Sequence, residues 1–441
     1  MIPHHNNSNI LYEKRNILLL TFVAVSIFLW SNGFNLRIFD LSDRFNFLNL
    51  AAIFIILFIA LTSLIFRTQK QYLSNYYFWC IIGILAATTF PTLFNLVLTK
   101  GLSFRDLIAA ELTFSGLFIF IILISFKTNH SFVTKINTTL IAITSINVLA
   151  IVLLSLVPNM ADSIFVKTSE RFERIRIGVA TGLGPMVHYV FFYLLVMCIE
   201  GAQFLKRRII PYFLSFIVFT WYIFAVEMGR RTIFAILAVT SYYLFIRMDG
   251  VKRLRIILLL PFIFAFFVII PQSSIILDSI QSSFITATEE FQYGEGNVGI
   301  RVFGIEYYMN LFKESGYIGI GMYSNKLSSS DVFNLGREAF RYNPADHGIF
   351  AVLYQFGFPA IALTIIFLFH IFRDLKVIRF QGLPEHSPIA MAIHLYLVFS
   401  IIGLLAIFWK PVESLWVGIM LFLIWRMNKA VYEIQDDKYY E

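Results

Sequence analysis

The 441-residue chain is 58% hydrophobic and only 14% charged, with a mean hydropathy of +0.75, far from the roughly one-quarter charged composition of soluble domains. So few charges exclude a water-facing surface wrapped around a single core. The formal net charge of +8 is spread over short connections with no basic domain to hold nucleic acid, which leaves anionic lipid and an anionic substrate as the expected partners.

Apolar stretches long enough to cross about 30 Å of hydrocarbon recur along the chain. They predict spans at 16–33, 46–66, 76–98, 107–126, 136–157, 182–199, 209–226, 232–247, 254–271, 347–370, 389–408 and 412–426. Helices satisfy their own backbone inside such stretches. The predicted fold is therefore all-α, a polytopic transmembrane bundle of about twelve spans. The first run follows Lys14 and Arg15 and lacks a small-residue cleavage site, so it reads as a retained span. Pro91 falls within the third span, where a kink is expected, whereas Pro158, Pro211, Pro271 and Pro411 fall at span ends. Cys80 and Cys198 sit inside apolar runs as small hydrophobes and imply neither a disulfide nor a zinc site.

Orientation follows from Lys and Arg near the short connections. With the N-terminus inside, nineteen of the 35 basic residues fall on the cytoplasmic side, eleven in short outer loops and five in one long loop. The expected arrangement is a multi-pass membrane protein with both termini cytoplasmic. Residues 1–271 carry spans one to nine, 272–346 form a loop outside the cytoplasm, and 347–441 carry the last three spans and a cytoplasmic tail.

A loop of that length is usually functional. Leu277, Ile280, Phe284 and Phe291 recur at helical spacing, as do Val298, Val302, Ile305, Met309 and Phe312, predicting two amphipathic helices on the outer membrane surface. The glycine-rich turn GYIGIGM, Gly316 to Met322, follows.

Ionisable groups at membrane depth cost about 2.5 to 3.5 kcal/mol each on insertion scales, so those near the outer mouth are candidates. Glu227-Met-Gly-Arg230-Arg231-Thr232 is the shortest outer connection, with two arginines at a helix start. They form a diphosphate pocket, since a guanidinium grips two oxygens at once, or they snorkel to lipid headgroups. Arg301 follows GEGNVG on the second loop helix, pointing either into the bundle mouth or to solvent. Arg174 and Arg176 cluster with Arg171 in the loop 158–178, where Glu170 and Glu173 can neutralise them.

Histidine is the side chain best suited to general-base work near neutral pH. His4, His5, His130, His370, His386 and His394 fall on the cytoplasmic side of this topology, leaving His188 and His347 near the outer face. His347 lies in NPADHGIF beside Asp346, where the long loop meets the tenth span; His188 reads as a packing residue. There is no P-loop and no transmembrane carboxylate chain. Apart from Asp436 and Asp437 in the tail, no cytoplasmic aspartate pair is placed to hold a divalent ion, and Glu111 is a lone carboxylate in the fourth span. No metal and no cofactor are expected, and an activated donor would arrive attached to lipid.

Three features in order, GRRTIFAI from Gly229, Arg301 followed by IGIGM, and His347 followed by IFAVLYQFGFPAIAL, resemble the bacterial O-antigen polymerase and ligase superfamily of membrane glycosyltransferases. The resemblance covers mainly residues 227–370. Where the family often has Asn, Ser or Gln after the histidine, this chain has Gly348. The resemblance implies polymerisation of undecaprenyl-diphosphate-linked repeat units on the periplasmic face, with His347, Arg301 and Asp346 catalytic and Glu227, Arg230, Arg231, Arg174 and Arg176 binding substrate. Its implied partners are a polyprenyl-diphosphate-linked glycan, the bilayer and a chain-length regulator protein. An O-antigen ligase acting on lipid A-core shares this chemistry. A flippase for lipid-linked sugars is the third reading, and it predicts polar residues through the bundle midplane, whereas here they gather near the outer surface.

Overall fold

The computed structural model describes residues 16–27, 56, 59–60, 75–99, 114–126, 128–156, 186–200, 209–223, 230–247, 305–310, 312–319, 321, 349–402, 407–409 and 413–440. All regular structure among them is helical. In chain order the helices are α1 Asn16–Ile27, α2 Tyr76–Thr99, α3 Phe118–Ser125, α4 Ser131–Leu156, α5 Met186–Glu200, α6 Ile209–Trp221, α7 Arg230–Arg247, α8 Ile349–Gln381, α9 Ser387–Ile402 and α10 Ser414–Tyr440. Parts of α2, α4, α8 and α10 are long and apolar enough to cross a membrane, among the described residues. The predicted spans at 46–66 and 254–271 lie almost wholly outside those residues.

Several helices outrun the apolar stretch that announced them. α4 starts at Ser131, five residues before the apolar stretch: the Asn129 carbonyl accepts the Phe132 N–H at 3.2 Å, and its side chain accepts the Ser131 hydroxyl at 2.9 Å. α8 continues to Gln381 through Asp374, Lys376 and Arg379, and α10 runs to Tyr440 past Arg426 and Glu433. Hydropathy marks where a helix meets hydrocarbon, whereas backbone hydrogen bonding continues until something stops it.

α10 is the central helix. From Leu415 to Ile424 its apolar side chains are fully buried, and those of α3 are buried from Ile119 to Ile124. Both are apolar all round, as helices at the middle of a bundle must be. They approach closely because Gly116 and Gly418 face the contact: a Cβ at Gly418 would stand 2.5 Å from Ile119 Cγ2, and one at Gly116 would meet the Leu415 backbone. Small residues serve this purpose in membrane bundles, where lipid supplies no hydrophobic drive for helices to associate. Around this centre α6, α7 and α8 turn exposed apolar stripes outward, including Ile210, Phe213 and Ile217, then Phe234 and Leu237, then Ile365, Ile366 and Phe369. Such stripes suit a lipid surface.

Polar ties cross the apolar interior. The Tyr77 hydroxyl donates to Asp374 at 2.7 Å, joining α2 to α8, and the Tyr189 hydroxyl donates to Asn137 at 2.5 Å, joining α5 to α4. Trp409 Nε1 donates to Thr364 at 2.7 Å, and Arg426 Nε donates to the Thr128 carbonyl at 3.0 Å while its other nitrogens hold Glu433. Bonds of this kind between membrane helices average about 0.6 kcal/mol, so they set register more than they set stability. Cys80 and Cys198 are both free thiols.

His386, in the turn between α8 and α9, is fully buried. Burial lowers its pKa below the ordinary value, opposed by the Glu385 carboxylate 3.9 Å away and by the His130 backbone, and reinforced by the charges of His130 and Arg426. The folded chain thus binds this proton less readily than the unfolded one. Stability is expected to rise with pH through this window and to be lost as pH falls below about 6.5, with a slope of at most about 1.4 kcal/mol per pH unit for one proton. Thermal unfolding of purified wild type and His386→Gln between pH 7.5 and 5 checks this, and an equal acid sensitivity in the two would remove His386 as its source.

Candidate functional site

Of the residues assigned chemistry from the sequence, His347, Asp346, Arg301, Glu227, Arg174 and Arg176 lie outside the described residues. Arg230 and Arg231 open α7, as the short turn before them predicted, and their side chains also lie outside the description. What the structure does describe is the frame that adjoins these positions in the chain: the helical residues 305–310 and 312–314 after Arg301, the glycine turn, and the first half of α8, which begins two residues after His347.

This frame is built around a break in α8. Gly357 has φ 77° and ψ −177°, a conformation essentially confined to glycine. Pro359 follows two residues later. It has no N–H to offer the carbonyl four residues back, which belongs to Gln355. The freed Gln355 carbonyl instead accepts the N–H of Gly321 at 2.8 Å. A membrane helix tolerates a broken hydrogen bond where a neighbour re-satisfies the exposed group, and here the neighbour is the glycine turn that follows Phe312.

The approach is backbone to backbone. A Cβ at Gly319 would stand 2.5 Å from the Gln355 carbonyl oxygen, and one at Gly357 would stand 2.5 Å from the Ile318 carbonyl oxygen. On its other side the turn rests on α2, where a Cβ at Gly321 would lie 2.8 Å from Thr92 Cα, one residue after Pro91. The IGIG segment is thus wedged between two proline-bearing turns of different helices. α2 continues across Pro91, and Thr92 returns its hydroxyl to the Thr88 carbonyl at 2.8 Å.

Aromatic packing fixes the helical residues ahead of the turn. Tyr308 stacks on Tyr354 of α8 with ring centroids 4.6 Å apart and planes 14° from parallel, and both rings are buried. Phe312 is buried one turn later, with Tyr317 edge-on at 5.3 Å and Phe358 at 5.8 Å. Stacks of this kind contribute about 0.5 to 1.5 kcal/mol beyond area burial. The buried face of this helix is Tyr308 and Phe312, with Ile305 and Met309 only partly covered. The predicted stripe through Ile305, Met309 and Phe312 is therefore rotated by about one residue, because Tyr354 offers a ring for Tyr308 to stack on. The first predicted loop helix, 277–291, lies outside the described residues.

Two features escaped the sequence reading. The break in α8 was readable in Gly357-Phe358-Pro359, whose spacing marks a helix interruption, but the apolar run around it masked the signal. Glu413, at the start of α10, is buried beside Tyr396. Its signal was an acidic residue between two apolar runs just after Pro411. His188, read as a packing residue, is half-buried on α5 with its ring 4.8 Å from that of Phe399. Among the described residues no group of three His, Cys, Asp or Glu side chains stands close enough to hold a metal ion.

An all-α bundle with lipid-facing apolar stripes, several helices of spanning length and a loop segment wedged into a broken helix is the fold of a polytopic membrane protein. No family model and no curated protein matches the chain.

Proposed function

We propose that the protein is a polymerase of undecaprenyl-diphosphate-linked oligosaccharide repeat units, making O-antigen or a related surface polysaccharide on the periplasmic face of the inner membrane. The reading keeps the twelve-span frame with both termini cytoplasmic and residues 272–346 as its periplasmic loop. The observation that supports it is the wedge between the IGIG turn and the Phe356-Gly357 break. These are two of the three segments that carry the family resemblance, and they are in backbone contact although some 35 residues separate them in the chain.

The chemistry follows from the residue types. The donor's anomeric carbon already carries a diphosphate, a leaving group that needs charge neutralisation more than protonation. Arg301 with Arg230 and Arg231 supplies it through paired N–H donors. The acceptor sugar hydroxyl attacks the anomeric carbon and passes its proton to His347, whose ring Asp346 orients. One C–O bond forms, the anomeric C–O bond to phosphate breaks with its electron pair leaving on the diphosphate, and the configuration inverts. Glu227, Arg174 and Arg176 complete the polar rim that holds the glycan, and a chain-length regulator protein is the expected protein partner.

The test is what accumulates in a strain lacking the gene. Without a polymerase, single units still reach the outer face and are ligated, so the lipopolysaccharide pattern is expected to collapse to core plus one unit. Bare core with long chains left on the lipid carrier would identify a ligase, and little decorated core with units trapped inside would identify a flippase.

A further inference from the structure

At the opposite end of α7 from Arg230, three helices bring a second set of charges together. Arg247, the last residue of α7, contacts Glu200 at the end of α5 with N and O 2.7 Å apart, and the same Glu200 oxygen accepts the Tyr243 hydroxyl at 2.7 Å. Arg379, near the end of α8, lies within charge–charge range of Arg247, Glu200, Tyr243 and Tyr242. Its Nε is buried and has no hydrogen-bond partner among the described residues. Arg379 thus stands near an ion pair whose carboxylate already holds Arg247 and Tyr243. A buried donor left unmade is costly.

We propose that Arg247 and Arg379 form a headgroup site for an anionic phospholipid, gripping its phosphate where α7 and α8 end. A phosphodiester supplies a negative charge beside the second arginine and an acceptor for the Arg379 Nε, in the paired geometry guanidinium favours. The immediate neighbours say why the phosphate belongs to a lipid. Phe245 and Ile246 precede Arg247, Phe380 follows Arg379, and all three are exposed apolar side chains, a surface that acyl chains cover and that a free anion leaves wet. Tyr242, stacked on His394 with centroids 6.4 Å apart, adds a half-exposed ring of the kind that sits at headgroup level. Basic pockets between membrane helices bind acidic lipid headgroups in this way.

The site is distinct from the proposed diphosphate pocket. α7 has 18 residues, so its ends are about 27 Å apart at 1.5 Å per residue. The inference therefore stands or falls without reference to glycosyl transfer.

The experiment is lipid titration of the purified full-length protein in detergent, read by native mass spectrometry, with phosphatidylglycerol and phosphatidylcholine of matched chains. Wild type is expected to prefer phosphatidylglycerol. Arg379→Gln is expected to weaken that binding about five- to tenfold while leaving phosphatidylcholine binding unchanged. Glu200→Gln, which removes the competing carboxylate, is expected to strengthen phosphatidylglycerol binding, a change that loss of a merely structural contact does not produce. Equal affinity of wild type for the two lipids overturns the site whether or not any variant folds. Displacement of phosphatidylglycerol by millimolar inorganic phosphate overturns the lipid assignment and leaves a free-anion site.

Discussion

His347→Ala is expected to lower polymer formation by about a hundred- to ten-thousand-fold, the range for loss of a positioned acid-base group, while leaving the protein inserted at wild-type level. The expectation rests on chain position and chemistry. His347 lies two residues before α8, the helix whose first half packs Tyr354 on Tyr308 and whose broken turn receives the IGIG segment. A group whose part is to take a proton is expected to be lost without loss of insertion. His188→Ala is the control: that ring packs on Phe399 within α5 and α9, and its loss should produce a mild packing defect with transfer retained. The measurement is polymer length and amount in membranes of strains matched for expression. Near-normal polymer in the His347→Ala strain would end the proposed role and direct attention to carboxylates, first Asp346 and Glu227, then the buried Glu413.

Gly357→Ala is expected to dislodge the glycine turn from α8. Its backbone conformation costs a non-glycine residue about 1 to 3 kcal/mol, and the added Cβ would stand 2.5 Å from the Ile318 carbonyl oxygen, which is backbone and cannot swing aside. Either α8 straightens, closing the gap in which the turn sits, or the loop retreats and leaves the Gln355 carbonyl without Gly321. Limited proteolysis of the loop in intact membranes should then become several-fold faster, and transfer should fall even though no proposed catalytic group has changed. Pro359→Ala separates the two effects. It returns an N–H to the helix without adding bulk against the turn, so it should disturb the wedge less than Gly357→Ala does. Wild-type protease resistance and activity in Gly357→Ala would show that the wedge does not support the site.

Much of the architecture was legible in composition and periodicity. Apolar runs located α2, α5, α6, α7 and α9 to within a few residues, because a segment in hydrocarbon must pair its own backbone and a helix is the local way to do so. Charge-rich extensions such as Asp374 to Gln381 and Met427 to Tyr440 were read as connection and tail, since hydropathy reports the surroundings of a helix and not its hydrogen bonds. The glycine turn and the Phe356-Gly357 pair were also visible as motifs. That they touch was not visible, for the contact depends on one carbonyl freed by a proline and one N–H delivered from a distant loop. Likewise, nothing in the spacing of Glu200, Arg247 and Arg379 along the chain announces that they meet. The sequence by itself determined an all-α chain with lipid-compatible surfaces and offered a short set of chemically plausible candidate residues, because those follow from local hydrogen bonding and side-chain polarity. Only the tertiary structure decided which helix lies at the centre, which face of the loop helix is buried, and which charges share one end of the bundle, because close packing between segments far apart in sequence is settled by shape and not by composition.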